Sequence, residues 1–184
     1  MPQLTRLAFE SDEDFHVNGL AHLPNLRELK ICLAKSITLD HLKHLKVLEL
    51  ENNIYVDKLD CFENLPQLEK LGLSSIRDQE NPTVVDLKLL KPLKKLKWLT
   101  LMETPIQSLE GIEHLTSLEY LDLYDTEISD VSLLNQLPNL KEVNLATGVD
   151  ISRFTMEAQL SKPEIARYFG LPRVHFGVWE RLEL

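Results

Sequence analysis

One spacing dominates the chain: an apolar residue, two others, an apolar residue, one other, an apolar residue. It occurs at Leu4-Leu7-Phe9, Leu26-Leu29-Ile31, Leu45-Leu48-Leu50 and Leu68-Leu71-Leu73. It recurs at Leu96-Leu99-Leu101, Leu118-Leu121-Leu123 and Leu140-Val143-Leu145. All 21 positions are apolar and all but three are Leu, in a chain that is only 43% hydrophobic. Chance does not give that. The second and third apolar residues of each motif are two apart, so along a strand they point to the same side. The residues between and around them point to the other.

The motifs start 22, 19, 23, 28, 22 and 22 residues apart. A repeat near this length marks a solenoid, in which one coil cannot bury its own apolar faces but stacked coils form a continuous core. The expected architecture is an α/β solenoid. About seven short parallel strands line its concave face, with short helical or extended segments on the convex face. Ile106, Leu109, Ile112 and Leu115 in the fifth coil match Ile128, Val131, Leu134 and Leu137 in the sixth one for one. They are expected to close each coil from the far limb.

These residues resemble the leucine-rich-repeat family over roughly Leu4 to Leu145. The 22-residue unit is similar to the subclass found in bacterial internalins and in regulatory leucine-rich-repeat subunits of phosphatases. The resemblance implies an arc-shaped solenoid that binds a protein partner. The family often places Asn just after each strand, where its side chain satisfies buried backbone groups. That column here reads Asp12, Ala34, Asn53, Ile76, Thr104, Thr126 and Gly148. Thr104 and Thr126 can substitute with a hydroxyl. Ala34 and Ile76 cannot, so their coils are expected to be less regular.

The repeat has three further departures. The short step lacks three residues near Ala34-Lys35-Ser36, and the long one carries a polar insertion, residues 77–82, which reads as an exposed loop. The first coil starts with no capping segment before it. Either residues precede it, or the end frays, or this uncapped N-terminal coil contacts another chain. Residues 1–148 are therefore read as the solenoid and 149–184 as a C-terminal cap. In the cap, Ser161, Pro163 and Gly170 frame a short helix, and Val174, Phe176 and Val178 alternate like a strand. Tyr168, Phe169 and Trp179 give the cap an alternative role as a second binding surface.

The strand residues that face away from the core are not uniform. Trp98, Met102, Tyr120 and Tyr124 fall on two adjacent strands, with Asp122, Asp125 and Glu103 among or beside them. Aromatic residues and Met are enriched in interface cores, so these residues are the expected partner-binding site. Packing between neighbouring strands, or beneath the C-terminal segment, is the competing explanation. Glu49 and Glu51 read as a solvated acidic patch.

Charge and chemistry narrow the function. A net charge of −9 argues against nucleic acid, which needs clustered Lys and Arg. It suits a basic partner or simply keeps the protein soluble. No apolar run approaches the roughly 18–20 residues of a membrane span, and the N-terminus carries no basic-then-apolar leader. Cys32 and Cys61 fall on opposite limbs and are not expected to pair. With no Asn-x-Ser/Thr acceptor, a reduced, cytoplasmic setting is expected. Two thiols cannot build a four-thiolate zinc site, and His22, His41 and His114 read as a solvated convex column. There is no phosphate loop, dinucleotide fingerprint, His-Glu-x-x-His or Gly-x-Ser-x-Gly, so no catalytic residue, metal or cofactor is assigned. The expected function is non-catalytic protein binding through the concave face. The alternatives are an immunity or inhibitor-type protein that neutralises a basic enzyme or toxin, and a recognition segment of a larger polypeptide.

Overall fold

The computed structural model describes residues 3–17, 19–37, 39, 41–52, 59–75 and 85–145. The 77–82 insertion and the proposed cap at 149–184 lie outside the described residues, as do the side chains of Asp12, Ala34, Asn53, Ile76 and Gly148. Seven strands are described: β1 (Arg6–Val17), β2 (Glu28–Ile37), β3 (Val47–Glu51), β4 (Lys70–Ser74), β5 (Trp98–Thr100), β6 (Tyr120–Leu123) and β7 (Glu142–Leu145). They form one parallel sheet in sequence order. Its register follows the repeat: Leu7, Leu29, Leu48, Leu71, Leu99, Leu121 and Val143 are partners in one row.

The core is a stack of leucine rows. The first apolar positions of the second to seventh motifs are all buried, as are Leu29, Ile31, Leu48, Leu50, Leu99 and Leu101. Leu4, Leu7, Phe9 and Leu145, on the two outermost described coils, are only partly buried against this core. The far limb adds two more rows. Leu20, Leu39, Phe62, Leu90, Ile112 and Leu134 form one, and three residues later Leu42, Leu65, Leu93, Leu115 and Leu137 form the other. A spacing of three matches the three residues per turn of a 3-10 helix and brings both rows to the same side. Short 3-10 helices accordingly stand at Leu20–His22, Leu59–Asn64, Leu87–Leu90, Ile112–His114 and Ser132–Gln136. Ile106, Leu109, Ile128 and Val131 are buried too, so the expected far-limb closure is present.

The coils are joined by a repeated backbone device. The carbonyl of the residue after each motif's first apolar position accepts two N–H groups from the next coil. Lys97 O, for example, takes Glu119 N at 2.8 Å and Tyr120 N at 2.9 Å. The same pair of bonds occurs at Thr5, Arg27, Lys46, Glu69 and Glu119. From the third coil on, that column alternates in charge: Lys46, Glu69, Lys97, Glu119, Lys141. Lys46 pairs with Glu69 and Lys141 with Glu119, which draws the Glu119 carboxyl below its ordinary value.

The first two strands depart from the expected short length. β1 has 12 residues and β2 has 10. Pairing runs Glu10↔Cys32 and then resumes at Phe15↔Ala34, with a register shift between. β1 advances three residues more than β2 at this shift, and a second shift between Phe15 and His16 returns one, so the extended pairing takes up two of the three residues that the second coil lacks. The irregularity expected at Ala34 is present in this form.

Leaving the strand also has a uniform geometry. Leu33, Asn52, Ser75, Glu103 and Asp125, each seven residues after its motif's start, have φ between 51° and 63°. Of these residue types Asn and Asp take this left-handed conformation most readily; for Leu33, Ser75 and Glu103 it costs about 1–2 kcal/mol each. Cross-coil bonds offset part of this cost. Asn52 N donates to Ser74 O, Ser75 N to Met102 O and Glu103 N to Tyr124 O. Just beyond, buried Thr104 donates its hydroxyl to Leu73 O at 2.6 Å, tying the fifth coil to the fourth. Thr126 instead donates to Leu123 O within its own coil. Both hydroxyls thus satisfy strand carbonyls, as expected of that column.

Candidate protein-binding face

The alternation of each strand sends one set of side chains away from the core, and the parallel register stacks them about 4.8 Å apart across the sheet. Rows on this face therefore juxtapose residues from consecutive coils. One row reads Arg6, Glu28, Val47, Lys70, Trp98, Tyr120, Glu142.

The structure brings the expected aromatic residues together. The Trp98 and Tyr120 rings stack, with centroids 3.7 Å apart and planes 20° from parallel. The Lys70 ammonium lies 5.6 Å from the Trp98 ring centroid, within cation–π range. Local packing thus accounts for part of the cluster, yet Trp98 remains 41% exposed and Tyr124 40%. Met102 is half-buried, and its carbonyl serves the Ser75 turn. Asp122 is the hub of the polar contacts. It accepts the Tyr124 backbone N–H at 2.9 Å, Asn144 Nδ2 at 3.2 Å and, more weakly, the Tyr120 hydroxyl at 3.4 Å. Asp125 does not lie on the strand. It is exposed in the left-handed turn beyond β6, at the rim of the face.

The other half of the face is organised differently. Glu49 and Glu51 are not simply solvated, as the sequence suggested. Their side chains are only 15% and 14% exposed, and Lys30 lies between them at 3.7 and 3.5 Å. Lys70 closes on Glu49 at 2.7 Å, and Arg6 pairs with Glu28 at 3.0 Å. Gly72, whose Cβ would lie 3.4 Å from Glu49 Cγ, leaves the room in which Glu49 sits. The columns contained this network, because Glu49 stands between Lys30 and Lys70 on adjacent strands. A shallow depression with an apolar floor of Leu7, Ala8, Leu29 and Val47 lies at this end.

Burial pushes the Glu51 carboxyl above its ordinary value; Lys30 pulls it down and Glu49 pushes it up. The fold therefore favours the protonated acid, and the unfolded chain releases this proton first as pH rises. The stability this group contributes is complete below about pH 4 and is lost as pH rises through the folded-state pKa. Glu51→Gln is expected to be more stable than the parent at pH 7, with the difference closing near pH 4. Urea midpoints at the two pH values check this; an equal loss at both would contradict it. Burial also raises the thiol of Cys32, a free cysteine, and so lowers its nucleophilicity.

Among the described residues no cluster of His, Cys, Asp and Glu is arranged to hold a metal ion, and no helix is long and apolar enough to cross a membrane. His22 and His41 are exposed on the far limb and His114 is half-exposed.

A family model described as leucine-rich repeats (two copies) matches residues 116–155. No curated protein sequence matches the chain. Among solved structures, internalin C2 of Listeria monocytogenes is 23% identical with a TM-score of 0.63, over 77% of this chain and 61% of that one. The leucine-rich-repeat domain of the type III effector XopL is 22% identical, with a TM-score of 0.64, over 79% of this chain and 53% of that one. A leucine-rich-repeat protein of Leptospira interrogans is 25% identical, with a TM-score of 0.60, over 78% of this chain and 38% of that one. The chain thus spans less than two thirds of the length of each. Its period, its seven-stranded parallel sheet and these matches give it the fold of a leucine-rich-repeat solenoid, similar to that of the internalins.

Proposed function

We propose that this chain is a non-catalytic protein-binding module whose partner seats on the outward face of β5 and β6. The observation that carries the reading is the pair of large aromatic side chains, Trp98 and Tyr124, left about two-fifths exposed on a rigid sheet. Aromatic anchors on a preorganised surface bury much area at little entropic cost, and removing one typically costs about 2 kcal/mol or more of binding. Among the described residues the face carries no nucleophile paired to a base, which fits a binding role better than catalysis. A cytoplasmic setting belongs to the same reading, supported by the free thiol of Cys32.

Tyr124 is a cleaner probe than Tyr120, because Tyr120 is half-buried and stacked on Trp98. Affinity capture from native extract should retain a discrete partner on the parent chain. Trp98→Ala/Tyr124→Ala should lose it, by about a hundredfold or more in Kd, with an unchanged circular dichroism spectrum. Leu89→Ser, on the far limb, serves as the control and should retain it. A partner held equally by the double variant would sink the proposal.

A further inference from the structure

The two halves of the outward face differ in how their charges are balanced. On β1 to β4 the cations Arg6, Lys30 and Lys70 are each paired with a carboxylate of a neighbouring strand. On β5 to β7 the outward positions carry Asp122 and Glu142 but no Lys or Arg, and Asp125 stands at the rim. Among the described residues, none of these three carboxylates forms an ion pair, and Asp122 is bonded only to neutral donors. Beside it, Asn144 Oδ1 is buried with no hydrogen-bond donor among the described residues. That patch is rich in acceptors, poor in donors, and bordered by the exposed edges of Trp98 and Tyr124.

We propose that this patch takes an extended protein segment bearing Arg or Lys, whose cations supply the countercharge that Asp122, Asp125 and Glu142 lack. The proposal rests on the binding face argued above and adds the chemistry of its occupant. Arg suits it best, because its guanidinium offers five donors in a planar fork and packs on aromatic surface. A carboxylate has about four acceptor sites, so Asp122 can accept such a donor without losing its existing bonds. The like charges on the free face also attract a cationic segment during encounter, and salt weakens that attraction. The chain itself has a possible competitor: four of its seven arginines lie in residues 149–184.

The test is fluorescence anisotropy with a labelled synthetic peptide alternating Arg and Ser, and a matched peptide alternating Glu and Ser, on the full chain. The Arg peptide should bind, less tightly as salt rises, and the Glu peptide should not. Asp122→Asn/Glu142→Gln should weaken binding about tenfold. Glu142→Gln alone, which removes no hydrogen bond, should weaken it severalfold. Glu63→Gln/Glu110→Gln removes the same charge from the far limb and should leave binding within about twofold. Equal weakening by both double variants would reduce the effect to net charge and overturn the proposal. So would failure of the parent to bind. If Arg167→Glu/Arg173→Glu then restores peptide binding, the occupant is the chain's own carboxy-terminal segment and the proposal of a separate partner is overturned. A captured partner that Trp98→Ala/Tyr124→Ala loses and Asp122→Asn/Glu142→Gln keeps would overturn the cationic chemistry while leaving the binding face intact.

Discussion

Phe62→Ala is expected to destabilise the solenoid by about 3–5 kcal/mol, the largest effect of any substitution considered. Phe62 is the one aromatic in its far-limb row, between Leu39 in the coil before it and Leu90 in the coil after it, and it is fully buried. Its ring fills space that Leu or Ile fills elsewhere in the row. Alanine would remove that volume at a place where two coils meet, and stacked coils cannot collapse inward without breaking their strand register. In a solenoid each interface between neighbours contributes separately to stability, so the damage should be local at first. The expected result is a denaturation curve that begins earlier and broadens, with amide exchange accelerating first around β3 and β4. A uniform, unbroadened shift below about 1 kcal/mol would show that this row is not packed as described.

Gly111→Ala should cost about 3 kcal/mol by a different mechanism. Gly111 has φ 103°, a backbone conformation that L side chains rarely adopt. Its position is also closed by its neighbour. A Cβ built there lies 2.6 Å from Lys88 N and 2.8 Å from Lys88 Cα, in the 3-10 helix of the preceding coil. Those atoms are backbone and cannot swing aside. The Gly111 N–H is held by Glu113 at 2.8 Å, which fixes the start of the Ile112–His114 helix. Strain and clash act together, so the variant must shift one helix against the next. Gly19→Ala offers the comparison. Gly19 also has positive φ, but among the described residues only a His22 side-chain atom lies near its Cβ position, at 3.9 Å. It should lose only the conformational part, about 1–2 kcal/mol. Urea denaturation of the two variants side by side checks the difference, and equal losses would mean that the close approach to Lys88 contributes nothing.

The strand rows were legible because strand alternation and a fixed step leave few possible registers, and Leu29, Leu48, Leu71 and Leu99 fall on one row as the period requires. The Trp98–Tyr120 stack was nearly legible for the same reason: residues at the same repeat position on adjacent strands sit one strand spacing apart. Gly111 was not. Its constraint comes from Lys88, 23 residues earlier, and no local pattern announces it. The left-handed column was hidden because Leu33, Ser75 and Glu103 are not residue types that favour positive φ; cross-coil hydrogen bonds impose it. Glu49 and Glu51 were misread as solvated. The columns held Lys30 and Lys70 beside them, but burial of the cluster depends on how the side chains fold over Gly72. The lengthened β1 and β2 lay behind the three-residue deletion, which marked irregularity without saying that pairing would continue through it.

Site-specific photocrosslinking measures directly where the partner sits. A benzophenone amino acid placed at position 124 faces out from the aromatic patch; the same group at position 89 faces out from the far limb. In native extract, position 124 should give a single strong adduct to the protein captured by the parent chain, and position 89 none. An adduct from position 89 with none from position 124 would place the partner on the opposite surface and contradict the proposed binding face.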